Sequence, residues 1–325
     1  MADCKVISVI NWKGGVGKTT LTHHLGTGFF HLSEEDQRKY FPDQRAQRVL
    51  LIDNDAQCSL SVACLGEDEY ENLVYKREQP TIKDCYLPLL KDDEQTKDIR
   101  PCIVKWQVKR KKDATYPTVD LFPSHQDLIY TDMNIAVFQR ASFEGSLRSN
   151  TEIYKFQLLD RMINQVRDDY DFIFIDCPPN LNYITQNAVY ASDYYLIPTS
   201  LEALSAYGIA TIISKVTQLN HWFKDILPEY QETKLMGIIA NMVREYNKEP
   251  KGSQASIQQR LQHTFGDELM QNHLTYGDGI SETSQLGFPV YQSGSAGIAR
   301  KQSEAMLAIL CEMLERIRGN EKNAG

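Results

Sequence analysis

Lys13-Gly-Gly-Val-Gly-Lys-Thr-Thr20 is the stretch that decides the fold. It follows an apolar run over 6–10 and opens onto a helix-like run from Leu21, the strand–loop–helix setting that a phosphate-binding loop requires. Gly14, Gly15 and Gly17, with Val16 among them, let backbone N–H groups curve around a phosphate chain. Lys18 adds a point charge and Thr19 a hydroxyl suited to Mg²⁺, while Thr20 lies in the new helix, whose positive end faces the anion. The common pattern G-x-x-x-x-G-K-[ST] asks for glycine at position 12, where the chain has Trp12. What it has instead is a second lysine, Lys13, five residues before Lys18.

Two further apolar runs end in carboxylates. Val49-Leu-Leu-Ile-Asp-Asn-Asp-Ala-Gln57 reads as a buried strand leading to Asp53 and Asp55, and Tyr170-Asp-Phe-Ile-Phe-Ile-Asp-Cys-Pro-Pro179 as another ending at Asp176. In a parallel sheet the carboxyl ends of the strands gather at one edge, where ligands bind. Three acids and two lysines therefore converge on one phosphate site. On these motifs, with Leu121-Phe-Pro-Ser-His-Gln-Asp-Leu128, Gly237-Ile-Ile-Ala-Asn-Met242 and the region 281–310, the sequence resembles the ParA/MinD family of P-loop ATPases with the "deviant" Walker A motif. It looks closest to the ParA branch, the DNA- and cargo-partitioning ATPases.

That resemblance implies ATP and Mg²⁺ as cofactors. Lys18 and the backbone of 14–19 would cradle the β- and γ-phosphates. Thr19 would ligate Mg²⁺ directly, Asp176 would hold it through water, and Asp53 would support the metal shell. Asp55 would position or activate the attacking water; at i and i+2 of a strand, Asp53 and Asp55 share a face and both reach the site. Lys13 would cross the interface of a homodimer that sandwiches ATP and act on the partner's nucleotide as an arginine finger does. The family pattern places an adenine contact at Asn241, whose amide both donates and accepts; an Asn there also simply turns the chain. Pro178-Pro179 gives a rigid strand exit. The resemblance further implies slow hydrolysis stimulated by a partner protein, ParB-like or a cargo adaptor, and non-specific DNA binding through basic residues near the C-terminal end. Those arginine positions fall near Asp278 and Ala296, neither of them basic; Arg300 and Lys301, helped by Lys248 and Lys251, are the candidate substitutes.

Composition bounds these readings. A net charge of −8 and a pI near 5.5 exclude a global basic field, so any DNA contact needs a local patch. One such cluster is Lys105, Lys109, Arg110, Lys111 and Lys112 around Trp106, which reads either as a phosphate-backbone contact or as a solvated hairpin tip. Seven cysteines without a C-x-x-C pair predict reduced thiols and a cytoplasmic protein. An opening strand by Lys5 leaves no room for a signal peptide, and no apolar run approaches the ~20 residues of a membrane span.

The expected fold is α/β: a doubly wound, mostly parallel, P-loop NTPase-like sheet with a β-hairpin insertion near 91–118. In that insertion 102–109 alternates like a strand before a charged turn at 110–113. A single domain spans 1–318, 33–48 is a polar connection, and 319–325 is a flexible tail. His23 and His24 read as packing or surface residues. The last helix, 298–317, has an apolar face that suits a core helix better than the basic membrane helix of a MinD-like protein. Other function classes remain open: a MinD-like membrane-surface switch, a dethiobiotin-synthetase-like ligase, and a reductase component with cluster-bridging cysteines, for which Cys177 is not at a matching position.

Overall fold

The computed structural model describes residues 4–43, 45–91, 98–111, 114–139, 152–246, 249–292 and 297–324. From the amino end it forms β1 (Lys5–Val9), α1 (Lys18–Gly28), α2 (Glu34–Tyr40), β2 (Val49–Asp53), α3 (Ser59–Leu65), α4 (Glu67–Glu71) and α5 (Lys83–Lys91). Then come β3 (Lys109–Lys111), β4 (Ala114–Thr115), β5 (Val119–Phe122), α6 (Ile129–Val137), α7 (Leu158–Ile163), β6 (Phe172–Asp176), α8 (Tyr183–Ala191) and β7 (Tyr194–Ser200). The chain closes with α9 (Ser205–Ile226), β8 (Lys234–Asn241), β9 (Glu245–Tyr246), β10 (Glu249–Pro250), α10 (Gly252–Phe265), α11 (Asp278–Gln285) and α12 (Gly297–Ala324).

The main sheet has the order β5-β2-β6-β1-β7-β8, with every pairing parallel. Its strands are continuous apolar runs because both faces are covered. Side chains alternate between the faces. Val6, Leu50, Ile52, Ile173 and Ile175 enter one core, while Ile7, Val9, Val49, Leu51 and Phe174 enter the other. Register places Val9 and Asp53 opposite Asp176, so the loops after β1, β2 and β6 leave the sheet side by side. The connections diverge between the neighbouring strands β1 and β6, from β1 toward β2 on one side and from β6 toward β7 on the other, which makes the loop after β1 the ligand position of an open α/β sheet.

Three sequence expectations change. The connection 33–48 contains α2: Ser33 caps it by accepting from the Asp36 N–H at 3.1 Å, and Glu34, Glu35 and Asp36 complement the helix dipole. The expected tail at 319–325 is helical as far as Ala324; α12 continues past Gly319, and Glu321 reaches Lys5 of β1 at 3.1 Å. The stretch 102–109 is not one strand. Val104 bridges to Leu121, the backbone turns left-handed at Trp106, and only β3 and β4 pair as a short antiparallel hairpin. The turn residues Lys112 and Asp113 lie outside the described residues, as does the end of the helix expected near 125–140. α12 serves the core, with Met306, Ile309, Leu310, Met313 and Leu314 all buried.

Candidate functional site

The loop between β1 and α1 needs glycine for its shape. Gly15 and Gly17 have φ of 73° and 92°, in the left-handed region. At Gly17 there is also no room, since a Cβ would stand 2.0 Å from Asn241 Nδ2. That nitrogen donates to the Val16 carbonyl at 2.7 Å, and Asn241 Oδ1 accepts from the Met242 N–H at 2.7 Å. The amide expected to read adenine thus braces the loop through Nδ2, while Oδ1 caps the next residue and Asn241 also lines the cleft beside the loop. Gly17→Ala is expected to weaken nucleotide binding at least tenfold, roughly, because strain and the Asn241 clash add; titration with a fluorescent nucleotide measures it.

Behind the loop, Thr19 Oγ1 donates to Asp176 Oδ2 at 2.6 Å, while Asp176 Oδ1 is buried without a partner. Burial, with Asp53 nearby, pushes the Asp176 carboxyl well above the usual carboxylate range. A hydroxyl and an orphaned carboxylate oxygen side by side fit a hard divalent cation such as Mg²⁺. Lys18 is nearly buried, and its Nζ rests 3.3 Å from the Lys13 carbonyl. Burial lowers its pKa against the opposing pull of Asp176. A phosphate chain would supply the missing counter-charge to this lysine.

Asp53 and Asp55 part company. Asp53 is fully buried; its Oδ2 accepts from Ser61 N and Ser61 Oγ, both at 2.7 Å, and its Oδ1 from Asp55 N at 3.3 Å. Burial raises its pKa to about 7. With its oxygens accepting from protein donors, Asp53 anchors α3 beneath the site. The strand ends at Asp53, so the shared-face rule no longer applies two residues on. Asp55 instead lines the cleft over Gly14, Gly15, Lys18 and Thr19, a space of about 540 Å³. A second cleft of about 350 Å³ shares Thr20, Met242 and Ser284 with it and is walled by Leu274, Tyr276 and Ile280.

Lys13 leaves its own loop. Its side chain is 52% exposed and its Nζ pairs with Glu202, with Ser200 Oγ at 3.5 Å. An exposed pair of this kind contributes about 0–1 kcal/mol and is readily exchanged for another anion.

Sequence reasoning passed over several residues. Glu202 follows β7 at the same sheet edge as the expected acids, and that placement was the available signal. Asn54 is buried, donates to the Ile184 carbonyl at 3.1 Å and accepts from Tyr86 Oη at 2.9 Å. It locks the strand end that carries Asp55, yet nothing in its sequence setting marks it. Ser61, the partner of Asp53, also accepts from the Ser124 N–H at 3.0 Å, which accounts for the Pro-Ser-His segment at 123–125.

His24 links the loop's helix to the C-terminal region. Its Nδ1 donates to the Thr20 carbonyl at 2.7 Å, and its Nε2 accepts from Val290 N at 3.0 Å. Burial depresses its pKa to about 4. The titratable groups around it are His23 on the same helix and Tyr291, whose ring lies 5.8 Å away. A base whose folded pKa lies below its unfolded value of about 6.5 contributes stability present above that value and lost as pH falls toward 4. At pH 5 the loss from His24 is about 2 kcal/mol relative to neutral pH. Chemical denaturation should show this decline, with a shallower slope for His24→Gln.

Two of the C-terminal cations expected to meet DNA are paired with acids. Arg300 pairs with Glu304 at 2.7 Å and Lys301 with Glu245, while Asp278 stands exposed at the start of α11. Lys251 is exposed; Lys248 and Ala296 lie outside the described residues.

Comparison with known proteins agrees with this geometry. The family model described as "AAA domain" matches residues 4–228. A "ParA family protein" of Chlamydia muridarum is 26% identical over 314 residues, covering 97% of this chain and 99% of its own. Among solved structures, the ATP complex of a Cyanothece McdA variant superposes with a TM-score of 0.70 at 16% identity, covering 97% of this chain and 98% of its own. Mycobacterium smegmatis cobyrinic acid a,c-diamide synthase, with a bound ATP analogue and magnesium, gives 0.62 at 19% identity, with 98% and 97% covered. The chain belongs to the AAA-domain family so matched, within the ParA/MinD superfamily of P-loop ATPases.

Proposed function

We propose that this ATPase is a nucleotide-driven switch: two copies close on two Mg²⁺–ATP molecules, and the closed dimer positions a cargo until hydrolysis releases it. In this reading the loop N–H groups and Lys18 hold the β- and γ-phosphates, and Thr19 and Asp176 hold Mg²⁺, which spreads the charge of the transferred phosphoryl group. Asp55 orients the attacking water. The base occupies the cleft walled by Leu274, Tyr276 and Ile280, with Asn241 bracing the loop beneath it.

One observation carries this reading. Lys18 attends the chain's own phosphate cradle, while Lys13, the extra lysine of the motif, projects half-exposed from the rim toward Glu202. A cation outside its own cradle is what a contact with a second molecule's nucleotide requires, and this supports the sandwich reading. The likeness to a ParA family protein supports positioning of a cargo. A membrane-surface role finds less support, because the apolar face of α12 is taken up by the core.

Sedimentation of the Asp55→Ala protein with ATP, with ADP and without nucleotide tests the switch. A dimer with ATP alone is expected; a monomer in all three states would refute it.

A further inference from the structure

We infer that the insertion preceding β5 is a nucleic-acid-binding surface, with Trp106 as its ring contact and Lys105 and Lys111 as its phosphate contacts. The backbone holds Trp106 outward in an unusual way. Val104 and Val108 are both buried against the sheet edge, and between them Trp106 adopts a left-handed φ of 59°. A bulky residue is sterically strained in that region, and such strain persists only where the surroundings enforce it. Here the enforcing group is Asp120, nearly buried in β5. Its Oδ1 accepts the Trp106 N–H at 3.0 Å and its Oδ2 the Tyr170 hydroxyl at 2.8 Å. The result is an indole 64% exposed, turned away from both cores.

Charge within five residues of Trp106 in sequence names the occupant. Lys105 and Lys111 are exposed, Lys109 is half-buried, and Arg110 stacks over the Phe30 ring at 4.9 Å. Among the described residues none of these four meets a carboxylate, in a protein whose net charge is −8 and in which Arg300 and Lys301 are paired with acids. Unneutralised cations flanking an exposed aromatic ring suit a polyphosphate backbone with bases beside it. The two sources of that chemistry, duplex and single strand, differ in whether the indole can stack, so the experiment takes both.

The inference rests on the proposed switch only for the state in which it is tested. In the full-length Asp55→Ala protein with ATP, binding of random-sequence duplex and of single-stranded oligonucleotide is measured across a salt series, and the mass of the same samples is recorded. Lys105→Gln with Lys111→Gln should weaken both at least tenfold, roughly, and make the salt slope shallower by about 2. Trp106→Gly, which suits the left-handed backbone, should keep or raise the Tm. It should also lose about tenfold for the single strand, with little change for the duplex. Basal ATPase of the same substitutions in the wild-type background should be unchanged. Equal affinities in variants and parent would overturn the inference, as would a dimer that binds neither oligonucleotide. A failure to dimerise would instead count against the switch, and the hairpin would still be judged on its own binding.

Discussion

Lys13→Ala should leave ATP bound and turnover lowered by about 10³-fold, the effect of removing a trans-acting cation from phosphoryl transfer. Binding survives because the groups that would hold the nucleotide, Lys18 and the loop N–H groups, are untouched. The monomer loses only the exposed contacts with Glu202 and Ser200, so its folding stability should change by less than about 1 kcal/mol. A substitution that is silent in the isolated protein and severe in turnover is what separates a lysine working across an interface from one that merely faces solvent. Single-turnover hydrolysis beside equilibrium nucleotide binding reads the two effects independently.

Asp55→Ala should show the complementary pattern, with ATP and the closed dimer retained and hydrolysis reduced by about 10²–10⁴-fold. Asp55 lines the cleft, and its carboxylate contributes little to the fold, accepting from the Gln57 N–H at 3.0 Å within its own turn. Asp53→Ala should behave differently. It strips Ser61 N and Oγ of their buried acceptor, so the loss should appear first in folding stability, at about 1–3 kcal/mol, and only then in activity. Thermal denaturation of the two variants side by side distinguishes a residue that acts on water from one that holds α3 in place.

The same pair shows how far the sequence could be read. β2 and β6 were legible because five consecutive buried positions leave no polar face, and each run stops at the acid that reaches the site edge. The setting of Asp53 was not legible, because a period-two rule holds only while the strand lasts and its partner sits eight residues away on α3. Asn241 was expected from the family pattern as an adenine contact, and its bond to the loop was not legible. Its distance from the loop is 225 residues in sequence, and no local pattern announces a hydrogen bond to Val16. α2 escaped notice since its exposed face is charged and only Tyr40 is buried; the cap at Ser33 and the acidic first turn were the signals. The hairpin was expected as alternation, yet the feature that matters there, the left-handed turn at Trp106, arises from a carboxylate fourteen residues later.

The sandwich is tested most directly by mixing two inactive proteins, Lys13→Ala and Asp55→Ala, in equal amounts with ATP and Mg²⁺. In a mixed dimer, the nucleotide on the Lys13→Ala subunit has its own Asp55 and receives Lys13 from the other subunit, so one complete site forms. Statistical pairing then predicts recovery of roughly a quarter of the wild-type rate per subunit. If Lys13 serves the nucleotide of its own chain, no pairing assembles a complete site, and a mixture as inactive as its components would contradict the mechanism.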